Sequence, residues 1–136
     1  MKRYYLFDTG IAQDYQAKRR GVRERAIEQR KLGHRIGICV PVLGELWSGV
    51  ENSSSRDRNL GKLRQALSTL MIWPYTAEAA EQYGRIFTEL KRAGRQIQQI
   101  DMQIGAIART LPNCIVVSKD SDLSAIPGIT VENWAS

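Results

Sequence analysis

The sequence predicts an α/β fold in which a mostly parallel sheet of about five strands is covered by helices on both faces. Five short apolar runs alternate with longer segments of helical periodicity, which is typical of parallel strands joined by crossover helices. The runs are apolar enough for strands that are buried on both faces. The length of 136 residues suits one core, so we expect residues 1–136 to form a single domain.

The first half of the chain supplies the first two strands. A strand is predicted over 4–8 (YYLFD), and a charged helix over about 22–32 ends at Gly33. A second strand over 35–41 leads to Pro41, which suits the first turn of a helix that ends near Asn52.

The second half continues the alternation. A helix over 56–68 is followed by a short strand over 70–73, which Pro74 ends. Thr76 is the predicted N-cap of a long helix that ends at Gly94, and another helix precedes strands over 114–118 and 129–133. Apolar stripes define these three helices: Leu60, Leu63, Leu67 and Leu70; Ala79, Tyr83, Ile86, Phe87 and Leu90; and Ile100, Ile104, Ile107 and Leu111.

The charge of the chain is unevenly distributed. Its net charge is +6, and eight Lys or Arg lie between Lys18 and Arg35, against Glu24 and Glu28. Such a segment is either a solvated helix face or a surface that attracts a polyanion such as RNA. No apolar stretch approaches the roughly 20 residues that a membrane span needs, and no secretory leader is apparent, so we expect a cytoplasmic protein without membrane contact.

Histidine and cysteine chemistry is a poor explanation for this chain. The sole histidine, His34, follows Gly33 at the end of a charged helix, which disfavours histidine triads and zinc sites with several histidines. Cys39 and Cys114 lie within strand-like runs and are expected to be buried thiols.

Acidic residues stand where the chain is otherwise apolar or turning: Asp8, Glu45, Asp101 and Asp120. The carboxyl ends of parallel strands meet at one edge of an open sheet, so topology alone is expected to place three of these four positions at the same edge. A like-charged pair at 4 Å costs about 1 kcal/mol in water and about 4 kcal/mol at an effective dielectric constant of 20. Such a cluster needs protons, a basic partner or a cation such as Mg²⁺ or Mn²⁺, which can activate water for phosphodiester cleavage.

Simpler roles remain open for three of these acids. Asp8 is a common turn residue, and Asp101 suits a helix N-terminus. Asp120 and its neighbour Asp122 are able to cap the short turn SDLSAI.

Five segments carry a resemblance to a known family: FDTG, GELWSGV, IDMQIGAIA, SKDSDL and PGITVENW. The chain resembles the PIN-domain ribonucleases, and within them the VapC-type toxins of type II toxin–antitoxin pairs, from Leu6 to Trp134. The resemblance implies a single-domain three-layer α/β/α sandwich that cleaves RNA with Mg²⁺ or Mn²⁺.

The resemblance also assigns roles to residues. It implies catalytic roles for Asp8, Glu45, Asp101 and Asp120, with Asp8, Asp101 and Asp120 as metal ligands. Glu45 and Asp122 are further candidate ligands, and Thr9 and Ser118 are expected to hydrogen-bond the carboxylates or a bound water. The family usually has Asn where this chain has Gly10, so an amide that could contact the carboxylates is missing.

The implied partners are RNA, a second copy of the chain and a VapB-type antitoxin. Such an antitoxin wraps the toxin and presents a basic side chain to the acidic pocket, and any contact with operator DNA would be made through it. We expect Arg19, Arg20 and Arg23 to bind the RNA backbone. The alternative is a catalytically silent PIN-like module that binds RNA or a protein, which Gly10 alone supports. A receiver-type phosphoacceptor domain is disfavoured because MIWPYT offers no Asp at the third strand.

Overall fold

The sheet has five strands, all parallel, as the sequence predicts. The computed structural model describes residues 1–136. The strands are β1 (Tyr4–Phe7), β2 (Arg35–Cys39), β3 (Met71–Trp73), β4 (Cys114–Val117) and β5 (Thr130–Glu132). Their order is β3-β2-β1-β4-β5, and every neighbouring pair is parallel. The expected α/β class is confirmed.

Six α-helices connect and cover these strands. They are α1 (Thr9–Ala17), α2 (Val22–Lys31), α3 (Val40–Glu51), α4 (Arg56–Leu67), α5 (Ala77–Arg92) and α6 (Gln99–Thr110). A 3₁₀ helix, Ser121–Ala125, joins β4 to β5. None of the helices combines the length and the apolar character that crossing a bilayer requires. Thr76 caps α5 by accepting a hydrogen bond from the Ala79 backbone N–H at 3.1 Å, which confirms the predicted N-cap.

The strand order fixes where a ligand crevice opens. The chain moves from β1 to β2 and β3 on one side of the sheet, then returns to place β4 and β5 on the other. Ligands of open α/β sheets bind outside the carboxyl ends of the strands where the order reverses, here between β1 and β4. Phe7 pairs with Val117 in this register, so Asp8 and Ser118 follow side by side.

One apolar cluster of 31 buried residues fills the space between the sheet and the helices. The Trp134 ring packs against Tyr5 and Phe7, with ring centroids 4.8 and 5.5 Å apart. The apolar stripes left open whether Leu63 and Phe87 belong to the core or to an interface; Leu63 is fully buried, whereas Phe87 is half exposed. The buried stripe of α5 follows Ala79, Ile86 and Leu90, and Phe87 lies about 100° around the helix from Ile86.

The first third of the chain differs from the sequence-based prediction by one unpredicted helix and by the end of one strand. Helix α1 was not predicted, because its segment TGIAQDYQA has no clean apolar stripe and buries Asp14 among its core positions. Strand β2 ends at Cys39, because α3 already begins at Val40 and places Pro41 in its first turn. Arg19 and Arg20 lie in the turn before α2 and are not helical.

Gly37 is required where β2 meets β3. A Cβ at this position would overlap the Met71 carbonyl oxygen and lie 2.8 Å from the carbonyl carbon. Because those atoms belong to the backbone of the neighbouring strand, no side-chain rotation relieves the overlap. The close contact keeps β3 in register beside β2.

Candidate active site

Five carboxylates meet at the carboxyl ends of β1 and β4, and we call this group the acidic edge: Asp8, Glu45, Asp101, Asp120 and Asp122. Carboxylate oxygens of Asp101, Asp120 and Asp122 all lie within 4.8 Å of one another. Asp8 and Glu45 are close enough for their charges to raise the pKa of Asp101. The structure therefore brings together all five acids that the sequence singles out.

Asp8 is buried and both of its oxygens are engaged. Oδ1 accepts a hydrogen bond from the Ile11 backbone N–H at 2.8 Å, so Asp8 is also the N-cap of α1. Oδ2 accepts a hydrogen bond from the Ser118 hydroxyl at 2.6 Å. Burial raises the pKa of Asp8, although these two hydrogen bonds and the charge of Lys119 oppose the shift. Capping and site geometry thus depend on the same side chain.

Ser118 links the ends of the two central strands. It is buried, and its Oγ also accepts a hydrogen bond from the Asp120 backbone N–H at 2.8 Å. Asp120 in turn accepts from the Asp122 N–H at 2.9 Å and caps the 3₁₀ helix. Ser118 therefore fixes the direction of Asp8 and the path of the chain through the next two acids.

Glu45 reaches the acidic edge from the exposed face of α3. Its Oε1 accepts a hydrogen bond from the Thr9 hydroxyl at 2.7 Å. Thr9 is the first residue of α1, so this bond ties α1 to α3 across the mouth of the crevice. The rotation of the Glu45 carboxylate is restricted while its second oxygen makes no hydrogen bond to the protein.

Asp101 has the least compensated carboxylate of the five. It lies in the first turn of α6, is 7% exposed and accepts no side-chain hydrogen bond. Burial and the charges of Asp120, Asp8, Asp122 and Glu45 raise its pKa to about 6. A proton or a cation would relieve this crowding. The donor set consists of carboxylate oxygens alone, which suits a hard divalent ion such as Mg²⁺ or Mn²⁺.

Asp122 has a second partner that sequence reasoning missed. Arg95 Nη2 lies 2.9 Å from its Oδ1 and forms a half-exposed ion pair. Arg95 follows Gly94, whose positive φ of 69° ends the long helix and turns the chain toward the acidic edge. The only feature of the sequence that could have indicated this ion pair was the basic character of the segment around Arg95, which does not show where the Arg95 side chain points.

The predicted RNA-binding arginines are partly engaged by the protein itself. Arg19 and Arg20 both pair with Asp14, and Lys119 pairs with the same carboxylate. The Arg23 guanidinium lies over the Tyr15 ring at 5.0 Å, and its Nε is buried without a hydrogen-bond partner. Arg23 is thus a packing residue in this structure, whereas Arg19 and Arg20 remain about half exposed.

Comparison with known proteins gives a consistent assignment. The PIN domain family pattern matches residues 5–129. The chain is 30% identical over 130 residues to ribonuclease VapC2 of Rickettsia felis, covering 96% of this chain and 97% of that protein. It is 31% identical over 100 residues to the tRNA(fMet)-specific endonuclease VapC of Shigella flexneri, covering 72% and 76%. A chain in the crystal structure of VapBC2 from Rickettsia felis, bound to a DNA fragment from its promoter, superposes on this protein with a TM-score of 0.88. The two chains are 30% identical, and the match covers 96% of this chain and 98% of that chain.

Proposed function

Since the chain belongs to the VapC ribonucleases of the PIN domain family, we propose that its acidic edge is a divalent-metal site for the hydrolysis of RNA phosphodiester bonds. Mg²⁺ and Mn²⁺ are the proposed ions. The uncompensated carboxylate of Asp101 carries the proposal, because burial and the crowding by four neighbouring carboxylates raise its pKa, and a bound cation would relieve that crowding.

The proposed ligands are Asp8, Asp101 and Asp120, with Glu45 and Asp122 as further oxygen donors. When bound, the ion supplies Lewis-acid chemistry that favours deprotonation of water and neutralises charge developing at phosphorus. Glu45 is the proposed proton acceptor, because its second oxygen is unpaired and solvent-exposed while Thr9 holds the first.

Ser118 and Thr9 keep these carboxylates in place. Ser118 donates to Asp8 and Thr9 donates to Glu45, so neither acid rotates freely toward the substrate. Preorganised carboxylates lose little conformational freedom when substrate binds. The two hydroxyl residues thus serve as positioning residues in this proposal.

We also propose a VapB-type antitoxin as the protein partner and a homodimer as the active assembly. The complex of the Rickettsia felis relative supports the first proposal. Exposed apolar side chains support the second, since Val40, Ile72 and Phe87 are each more than 40% exposed. Light scattering of the purified chain tests the dimer, because only a mass of about twice 15.4 kDa supports it.

Cleavage of a mixed RNA pool that includes initiator tRNA tests the function. The purified chain, freed of any retained partner, is incubated with Mg²⁺, with Mn²⁺ or with EDTA, and the same is done for Asp8→Asn. Asparagine still caps α1, because its amide oxygen accepts from the Ile11 N–H. Asp57→Asn is the control, since the Asp57 side chain is 99% exposed in the first turn of α4.

Cleavage at a few sites that disappears with EDTA and with Asp8→Asn, but not with Asp57→Asn, supports the proposal. Cleavage that Asp8→Asn leaves unchanged removes the acidic edge as the active site. A folded wild-type chain that binds Mn²⁺ and RNA but cleaves nothing would support the catalytically silent module instead.

A further inference from the structure

A basic cluster beside the acidic edge is built on one buried carboxylate. Asp14 is 0% exposed, and Lys119 Nζ lies 2.8 Å from its Oδ2. Arg20 and Arg19 reach its Oδ1 at 2.9 and 3.3 Å. Burial alone would raise the pKa of Asp14, but Lys119 and Arg20 outweigh it and hold the pKa below its ordinary value. The carboxylate is therefore ionised and anchors its cations.

The cluster carries more positive charge than Asp14 neutralises. Three cations surround one carboxylate, which leaves a surplus of two positive charges. The three cationic side chains are 38–56% exposed, so the surplus faces solvent. Neutralising Asp14 requires only one cation, and bonding its two oxygens requires only two, Arg20 and Lys119. The additional charge suits an anionic ligand.

The turn that holds the arginines adopts an uncommon backbone conformation. Lys18, Arg20 and Gly21 have φ values of 58°, 58° and 74°. Residues other than glycine seldom occupy this left-handed region, and they persist there when surrounding contacts hold them. The Arg19 N–H donates to the Asp14 carbonyl at 2.8 Å, so the turn is closed on the same residue that collects the side chains.

Lys119 connects the basic cluster to the acidic edge. It directly precedes Asp120, and its charge opposes the rise that burial causes in the pKa of Asp8. A Cβ at Gly10 would lie 3.7 Å from Lys119 Cε and 3.8 Å from Asp8 Oδ1, so both side chains border one small gap. The Lys119 ammonium uses one of its three N–H donors on Asp14. Two donors are left beside the carboxylates.

We propose that Lys119 binds the RNA phosphate that flanks the scissile bond and that Asp14 is the positioning residue that holds it there; this inference rests on the proposed ribonuclease function. Arg19 and Arg20 continue the phosphate track away from the acidic edge.

Binding of a fluorescently labelled single-stranded RNA of mixed sequence, measured by anisotropy in EDTA over a range of salt concentrations, tests this inference. Lys119→Met should weaken binding roughly five-fold, as expected for one partly exposed ion pair. It should also lower the slope of log affinity against log salt by about 0.7, the value for one phosphate contact on a single strand. Lys119→Arg should restore both. Lys2→Met is the control, since Lys2 is exposed, makes no ion pair and precedes β1, at the end of the sheet opposite the acidic edge.

Asp14→Asn separates positioning from simple charge. This variant makes the protein more positive, so long-range attraction alone predicts tighter RNA binding. Release of Lys119 predicts weaker binding and a higher KM for cleavage with kcat unchanged. Tighter or equal binding by Asp14→Asn would overturn the positioning role, and wild-type affinity and slope for Lys119→Met would overturn the phosphate contact.

The two proposals fail in different ways. A wild-type chain that cleaves RNA while Lys119→Met binds RNA normally refutes only the role of Lys119. A chain that cleaves no RNA but loses affinity with Lys119→Met refutes the ribonuclease function and keeps the phosphate contact.

Discussion

Replacing Asp101 by Asn should stabilise the metal-free protein at neutral pH. The pKa of Asp101 rises from 3.8 to about 6, and such a shift corresponds to at most about 3 kcal/mol at 1.4 kcal/mol per pKa unit. Three of the four repelling carboxylates retain contact with water, which screens the repulsion, so we take about half of this value. The α6 N-terminus favours a negative charge by about 0.5 kcal/mol. The expected net gain for Asp101→Asn is about 1 kcal/mol.

The stabilisation of the metal-free protein by Asp101→Asn should increase as the pH rises. Well below the pKa of Asp101 in the unfolded chain, this side chain is protonated and neutral in both the folded and the unfolded state, so repulsion does not affect stability. As the pH rises from about 4 to about 6, the unfolded chain releases this proton before the folded protein does. The free energy of unfolding of the wild type therefore falls through this window and stays low above it. The variant lacks that loss, so the difference between the two should vanish below about pH 3, grow as the pH rises to about 6 and be complete above about pH 7.

Urea unfolding in EDTA at several pH values measures this difference. In thermal unfolding at pH 7.5, the same difference should appear as a melting temperature about 3–4 °C higher for Asp101→Asn. Asp57→Asn is the control, because Asp57 also lies in a first helical turn but has no carboxylate neighbour among its contacts. Saturating Mn²⁺ should make the wild type more stable than Asp101→Asn, because only the wild type gains the full free energy of metal binding. A variant that is less stable than the wild type at every pH would refute the repulsion argument.

Three further changes test separate parts of the structure by urea unfolding at pH 7.5. Ser118→Ala should lower the free energy of unfolding by about 2 kcal/mol, because the charged form of the buried Asp8 loses a hydrogen bond. It should also weaken Mn²⁺ binding measured by calorimetry. Unchanged stability and Mn²⁺ binding would show that another donor replaces Ser118. Gly37→Ala should cost more than about 3 kcal/mol, because its Cβ overlaps the Met71 backbone, and a loss under about 1 kcal/mol would mean that β3 moves freely. Thr76→Ala should cost about 1 kcal/mol through the lost α5 cap, whereas Thr76→Ser should keep most of the stability.

The five strands could be predicted because each is a compact apolar run between turn residues. Strand boundaries moved by only one or two residues, as at Cys39, where α3 begins directly after β2 because Pro41 is compatible with the first turn of a helix. Helix α1 could not be predicted in the same way. Its buried face includes Asp14, and a charged residue in a core position interrupts the pattern that identifies an amphipathic helix.

The acidic edge could be predicted because topology alone brings strand ends together and because Glu45 stands out as an acid in an otherwise apolar helical segment. The family resemblance then gave these acids their roles. The partners of these acids could not be predicted. Arg95 and Lys119 are ordinary basic residues in sequence, and their pairing with Asp122 and Asp14 follows from contacts between residues 27 and 105 positions apart. Sequence patterns of short period contain no information about such pairs.

The central place of β1 in the sheet sets the time at which the protein becomes complete during its synthesis. Strand β1 can pair with β2 early, but its other edge stays open until β4 has been made. The bond from Ser118 to Asp8 spans 110 residues, and Asp120 is added later still. Nascent chains fold progressively from the N-terminus. A chain that stops before β4 therefore has an unpaired edge on its central strand and lacks Ser118, Asp120 and Asp122. Of its three remaining site carboxylates, only Glu45 has its hydroxyl partner, Thr9, so the acidic edge is complete only in a nearly finished molecule.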